Sequence, residues 1–550
     1  MKKSLQLLSA LTAMLLAMAA LSGCGGGGDT EESAASSGDS SSEAALENFN
    51  PTGMPIVNEP VTLEVFCGKH PLQVDYDEMP MWDEYEKLTG VHIEWDLVDQ
   101  GSMTERKNIL LNSGDYPDVF FKQGLSQSDL VNYGPDQQVF IPLDDLIEEY
   151  GENFKNVLAD YPEIENAIRL YDGHIYSLPN IAGMETSVGC FYFINQAWMD
   201  AVGQDMPTNL DEYRTLLEAF RDEDPNGNGQ KDEIPMLSSW YGLNGFIHYL
   251  KGSWGLGNRG SFNMYVDCDE ETDTVRFTAT VPEFREVVEY VRGLYQDGLL
   301  NQEIFTIDDI TVTAKGEEGV AGSFIFQNPI QIGKTHQDDY VIVTEPMRAR
   351  DDIEPINTLV GPNVQSKTSF VITKECEYPE VAFRWGEYFY SEEGQALFWM
   401  GVEGLTYTIN ENGEYIPTDL ILNNPDGLTV DEATGKYFPR FMGGPTIKNY
   451  RYAYGHGDTL PILMDAVEVM RPYKPKEIWS SFNYDIDQQT ELNALSTDII
   501  TYYDEMIAQF VSGKIPMSEW DSFLAELDKM GLDRYLEIWN EGYQNYKSKQ

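Results

Sequence analysis

The chain has 550 residues, with 92 Asp and Glu against 36 Lys and Arg, for a formal charge of −56. Contacts to phosphate demand a surplus of Lys and Arg, so this balance excludes a general nucleic-acid binder and argues against direct adhesion to anionic lipid. With 42% apolar and 12% aromatic residues, the chain exceeds what one hydrophobic core serves, and two or more well-packed lobes are expected.

Lys2 and Lys3 precede an uncharged apolar run from Leu5 to Ala20, and small residues follow it. This is the pattern of a secretory signal; the run is short and early for a membrane span. Leu21-Ser22-Gly23-Cys24 then resembles the lipobox of bacterial lipoproteins. That resemblance implies removal of residues 1–23, acylation of Cys24, and a protein held outside the cytoplasm on a membrane by lipid alone. The Gly-, Ser-, Ala- and acid-rich stretch after Cys24 cannot bury enough to order itself, so residues 24–57 read as a flexible tether.

The body opens with an alternating strand, Val61–Cys67, a helix at Met81–Leu88, a strand at Val91–Trp95, a helix at Met103–Asn112 and a strand at Asp118–Phe121. Strands alternating with helices imply parallel pairing through crossovers, hence an α/β lobe. A Pro-started helix over Ile141–Tyr150, a turn and short strand at Asp172–Pro179, a strand at Phe191–Asn195 and a helix at Gln196–Val202 follow. Further on, Pro282–Asp297 carries apolar residues at helical spacing, and Val341–Thr344 and Phe370–Thr373 read as strands. Pro379–Ser391 and Glu393–Met400 read as helices; beyond Gly455 helices dominate, at Leu460–Met470, Asn493–Phe510, Pro516–Met530 and Leu532–Tyr546. Cys67, Cys190, Cys268 and Cys376 are too scattered for a zinc knuckle or a disulfide framework and are expected to be buried small side chains.

The sharpest local motif lies between the first strands and the later helices. Calcium takes six to eight oxygens, and alternate residues of a tight loop can supply them. Asp224, Asn226 and Asn228 stand at positions one, three and five of such a loop, Gly229 at six, Gln230 offers its carbonyl at seven, and Asp232 stands at nine. Position twelve is Pro235 instead of Glu, so Glu233 is the residue expected to close the shell. The competing account is an Asn- and Gly-rich surface turn, which needs no metal.

Several phrases then occur in one order: SGDYPDVFF, IPLDDLIEEYG, DGHIYSLP, FINQAWMDAVG, PTNLDEYRTLLEAFRDEDPNGNGQKDEIP and PEVAFRWGEYFYSEEGQALFWMGVEGLTY. From about Pro60 to the C-terminus the chain resembles bacterial extracellular solute-binding proteins of family 1, and within them the calcium-containing group of alginate-oligosaccharide-binding proteins. The resemblance implies an α/β, two-lobed periplasmic-binding-protein-like fold with hinge-crossing segments, closing on a sugar. It also implies Ca2+ held by Asp224, Asn226, Asn228, Gln230, Asp232 and Glu233, and an ABC-transporter permease pair as partner. On the family pattern the first lobe spans 58–190 plus 345–405 and the second 191–344 plus 406–550, with crossings near Cys190, Thr344 and Glu403. A monomer is expected.

Sugar sites join aromatic platforms to polar groups that satisfy hydroxyls. The chain has 10 Trp and 32 Tyr. Trp240 and Tyr241 lie in a Gly-, Ser- and Asn-rich loop just after the acidic loop, with Trp254 beyond, and are candidates for the cleft. Trp399, Glu403 and Tyr407 flank an expected crossing; Arg451, which could hold a uronate carboxylate, and Trp479 complete the set. An enzyme cleaving polysaccharide, or a sensor or adhesion lipoprotein without transport, is the alternative. Against the enzyme, there is no G-x-S-x-G elbow and no H-E-x-x-H pair, and the six histidines are isolated from one another.

Overall fold

The computed structural model describes residues 47–122, 124–183, 190–238, 242–343, 345–452 and 460–549. Cys24 and most of the tether lie outside these residues, as do Trp240 and Tyr241.

Strands β1 (Val61–Lys69), β2 (Val91–Asp99) and β3 (Val119–Phe121) alternate with the helices Pro80–Thr89 and Met103–Ser113, as the spacing predicts. Val61, Leu63 and Val65 point into the core while Thr62 and Glu64 face out, which places β1 half-buried on one face. β1 pairs in parallel with β2, Val61 opposite Val91 through to Lys69 opposite Asp99, and also with β3. After β4 (Leu178–Ala182) the chain enters a second sheet with β5 (Phe191–Asn195) and β6 (Ile234–Leu237). It makes a separate hairpin, β7 (Val266–Asp269) and β8 (Thr274–Phe277), and returns to the second sheet as β9 (Ala321–Phe326) and β10 (Tyr340–Ile342). It then re-enters the first sheet as β11 (Val364–Ile372), forms the hairpin β12 (Tyr407–Ile409) and β13 (Tyr415–Pro417), and adds β14 (Ile447–Lys448). The first sheet is ordered β14-β4-β11-β3-β1-β2 and the second β10-β5-β9-β6. These are the two α/β lobes.

The C-terminal helices run Pro461–Met470, Ile486–Ser512, Trp520–Lys529 and Leu532–Ser548. The helix expected to start at Asn493 begins seven residues earlier, because Asp485 and Gln488 form a reciprocal capping box. The helix expected over Pro379–Ser391 stops at Glu387, and Ser391 caps its successor by accepting from Gly394 N. Cys67, Cys190, Cys268 and Cys376 are buried and outside any disulfide, as expected.

The lobe boundaries differ from expectation in two places. Residues 345–359, expected in the first lobe, pack on the second: Met347 and Leu359 lie in its core, and Ile356 N donates to Gly252 O at 2.9 Å. Residues 406–452, expected in the second lobe, complete the first: Tyr407, Tyr415, Phe438 and Tyr452 join its core, and β14 extends its sheet. The chain therefore changes lobe between Ala182 and Phe191, between Leu359 and Val364, and between Tyr452 and Pro461. Residues 345–363 are mostly irregular, with a few turns and bends and isolated bridges at Arg348 and Val360, so no helical or strand period shows where the chain crosses.

Candidate functional site: facing strand ends and an acidic loop

Strand direction locates the cleft. β4 ends where the chain leaves the first lobe, and β11, antiparallel to it, begins where the chain comes back (Val364 opposite Ile181). β3 is antiparallel to β11, with Phe121 opposite Phe370, so the carboxyl ends of β3, β1 and β2 all lie toward the crossings. In the second sheet β5 starts at a crossing, Phe191 pairs with Phe326, and β6 runs parallel to β9. The carboxyl ends of β6 and β9 thus also lie toward the crossings. Both sheets direct these ends at each other, and open α/β sheets bind ligands in the crevice outside the strands' carboxyl ends.

In the first lobe, the His70 ring stacks on Phe441 at 4.5 Å with 7° between planes, and the Arg440 guanidinium covers the same phenyl ring at 4.8 Å. Gly68 leaves room for a methionine here: a Cβ at that position would lie 2.3 Å from Met103 Sδ and 3.0 Å from Met442 Cε. Lys122, just past β3, is buried, and its ammonium donates to Tyr76 Oη (2.7 Å), Pro439 O (2.6 Å) and Phe441 O (2.8 Å). It holds the 439–441 segment to the strand ends. Burial lowers its pKa to about 8 and, with Lys122 adding repulsion, lowers that of His70. In the second lobe, Ser238 directly follows β6 and Asn301 lies beside it, Ser238 N donating to Asn301 Oδ1 at 3.1 Å.

Several residues singled out from sequence lie in the cores. Trp479 is 0% exposed, packed on Tyr543 (4.7 Å), Phe482 (5.1 Å) and the Arg259 guanidinium (5.2 Å). Trp254 is buried against Tyr290 and donates from Nε1 to Glu286 Oε2 at 3.1 Å. Trp399 is buried with its Nε1 donating to Ile447 O at 3.0 Å, fastening edge strand β14, and Tyr407 is buried beside Tyr415. Four large aromatic side chains without a free face are packing residues, and in this fold their polar or Gly-rich sequence surroundings reflect tight turns. Glu403 is exposed next to Tyr407. Arg451 is exposed, pairs with Glu392 and lies over the Tyr415 ring at 5.0 Å. His70, Met103, Phe441 and Met442 were missed by sequence reasoning. The signal available was position: two follow strands β1 and β2, but the other two come from a loop more than 300 residues away.

The acidic loop connects the helix Leu210–Asp222 to β6. Gly227 (φ 70°) and Gly229 (φ 74°) take the left-handed turns that coil it. Asp224 Oδ1 and Oδ2 accept from Asn228 N (3.1 Å) and Gly229 N (2.9 Å), Asn226 Oδ1 accepts from Asn228 N (3.0 Å), and Asn228 Oδ1 accepts from Gln230 N (2.7 Å). Both asparagine amides donate to Asp232. Glu233 Oε1 is buried with no partner. Among the described residues, no group of three or more His, Cys, Asp and Glu side chains is placed to hold a metal. A cation here would draw on asparagine and carbonyl oxygens as well as carboxylates, and the unspent Glu233 oxygen fits that donor set.

The lobes are also joined beside the second crossing, where Asn363 and Ser480 line one cavity. The loop Ser480–Asp485 of the second lobe sits on the first through Lys367, Gln127 and Asn483, and Asn493 Nδ2 donates to Ser128 Oγ at 2.8 Å.

Residues 71–396 match the family model described as bacterial extracellular solute-binding protein. The fructooligosaccharide ABC transporter substrate-binding protein FusA of Streptococcus pneumoniae is 29% identical over 524 residues, 90% of this chain and 92% of FusA. Lipoprotein LipO of Bacillus subtilis is 25% identical over 491 residues, 86% of this chain and 90% of LipO. Among solved structures, S. pneumoniae FusA with kestose superposes with a TM-score of 0.73 at 25% identity, covering 89% of this chain and 100% of FusA. The EF-hand mutant of FusA with fructo-nystose gives 0.71 at 24%, with the same coverage. Two lobes that present strand ends to each other across three crossings, together with a family match over more than half the length, place this chain in the bacterial extracellular solute-binding protein family.

Proposed function

We propose that the protein captures an oligosaccharide between its two lobes and delivers it to the permease pair of an ABC importer. The observation that carries this reading is the opposition of strand ends across the crossings, which is the geometry of a hinge-type binding device. FusA, a relative along most of the chain, is a fructooligosaccharide binder of an ABC transporter, which supports sugar as the cargo class. The protein acts by binding, as a monomer, on the outer face of the membrane. Acylated Cys24 is the anchor, a reading supported by LipO being a lipoprotein.

The loop Asp224–Glu233 carries a structural calcium ion in this reading. Asp224, Asn226, Asn228, Asp232 and Glu233 would hold it with the Gln230 carbonyl, and the existence of an EF-hand in FusA supports it. When bound, the ion cross-links the loop between a long helix and β6.

A thermal-shift screen of the body from residue 48 onward, with calcium saturating, tests the function against kestose, nystose, alginate oligosaccharides and oligogalacturonides. A ligand that binds only the native state raises the melting temperature. The expected result is a shift of several degrees with one sugar class, recovered intact; cleaved sugar in the mixture would point to the enzyme alternative.

A further inference from the structure

The carboxyl end of β6 holds a pair of polar groups that the fold leaves unused. Residues 299–301 run alongside this strand: Met236 N donates to Leu299 O at 3.0 Å and Asn301 N donates to Met236 O at 2.9 Å. One step further, Ser238 N donates to Asn301 Oδ1 at 3.1 Å. That bond sets the amide's orientation. With Oδ1 turned to the strand, Nδ2 is the end left over, and it has no hydrogen-bond partner among the described residues. Ser238 Oγ has none either. Asn301 is 4% exposed and Ser238 0%. Buried polar groups are nearly always paired, because an unmade hydrogen bond costs the full desolvation of the group. Two such orphans, on residues joined by the Ser238 N–Asn301 Oδ1 bond at the carboxyl end of β6, are left without a partner among the described residues.

We propose that Asn301 and Ser238 are the ligand-recognition pair of the second lobe, Asn301 Nδ2 donating to a hydroxyl oxygen of the captured sugar and Ser238 Oγ accepting that hydroxyl's proton. This rests on the oligosaccharide reading above and adds to it the two residues that set specificity. A hydroxyl both donates and accepts, and the pair offers one fixed donor and one rotatable acceptor. A sugar lacking a hydroxyl at that place leaves both groups unpaired in the closed state and is discriminated against for that reason.

The test is calorimetric titration of the wild type, Asn301→Asp and Ser238→Ala with kestose, nystose, an alginate oligosaccharide and an oligogalacturonide. Asn301→Asp keeps an oxygen for Ser238 N but exchanges the amide donor for a buried ionisable carboxyl, so Ser238→Ala, which only loses a hydroxyl, is the cleaner variant. With whichever sugar binds the wild type, Asn301→Asp is expected to weaken affinity about tenfold or more and Ser238→Ala several-fold. Ser238→Ala should melt within a few degrees of wild type without ligand, whereas Asn301→Asp should melt lower because its carboxyl is buried. Should Asn301→Asp not fold, Ser238→Ala, which loses a single hydroxyl, decides. Unchanged affinity in a folded variant would overturn the pair and assign the orphan groups to buried water. A wild type that binds none of the sugars would overturn the oligosaccharide reading, and the pair with it, before any variant is compared.

Discussion

The ammonium of Lys367, on β11 of the first lobe, donates across the lobe boundary to Asn483 Oδ1 at 2.9 Å and also to Ser481 O. Lys367 is 6% exposed and lacks a carboxylate within this contact, so burial, with the positive charge of Lys549 nearby, lowers its pKa to about 7. An exposed lysine titrates near 10.5. Between those values the unfolded chain keeps a proton that the folded chain has released, so stability rises with pH across that window; below about pH 7 Lys367 adds no slope.

Replacing Lys367 with Met should therefore flatten the pH dependence of stability between pH 7 and 10. The difference from wild type reaches about 1.4 kcal/mol per pH unit at most, since one proton is involved. Urea unfolding of both proteins at pH 7, 8 and 9 measures it. Parallel slopes would mean that the lysine is not held in the buried contact.

Asn483 satisfies its whole amide at this boundary: Nδ2 donates to Ala167 O (3.0 Å) and Arg169 O (2.9 Å), and Oδ1 accepts from Lys367. Asn483→Ala leaves those carbonyls and the ammonium without their partner. We expect a loss of about 2–4 kcal/mol in stability. A change below 0.5 kcal/mol, on the order of an ordinary surface substitution, would show that the loop is not fastened there.

For the acidic loop, chelation by EGTA should lower the melting temperature, and Asp224→Ala should remove that sensitivity. Asp224 accepts two backbone N–H bonds as well, so the variant is also less stable without metal. The readout is the difference between calcium and chelator, which falls to zero in the variant. Equal melting of wild type with and without calcium would leave the loop as a hydrogen-bonded turn.

Trp479→Ala should cost about 3–5 kcal/mol in stability, as expected for deleting a fully buried ring. The fraction that remains folded should bind ligand as wild type does. Phe441→Ala should behave in the opposite way, weakening binding by about 1–2 kcal/mol, because its half-buried ring, grouped with His70 and Arg440, lies at the strand ends. Titrating both variants with the same sugar separates a packing aromatic from a cleft aromatic.

The α/β character was legible because β1, the first half of β2 and the helix Pro80–Thr89 between them follow plain periodicities of two and 3.6. The acidic loop was legible because its oxygens are spaced within ten residues. Cleft aromatics were not. Trp254, Trp399 and Trp479 carry the same composition signal as a ligand platform, and only tertiary burial distinguishes them. Phe441 and His70 meet at 4.5 Å across 371 positions of chain, a pairing that no local pattern encodes. The lobe boundaries were displaced for a related reason: Met347, Leu359, Tyr407 and Tyr452 choose a core by contacts made far along the chain.

The order of strands in the first sheet has a consequence for how the protein is made. β11, from residue 364 onward, lies between β4 and β3, which are finished by residue 182. A growing chain that has completed its first third therefore has two strands with a gap between them, and no means of closing the sheet until nearly 200 more residues exist. The second lobe waits still longer, for the helices that run to Ser548. The first lobe cannot close before Tyr452 exists, nor the second before its late helices do, so neither half can mature early in synthesis.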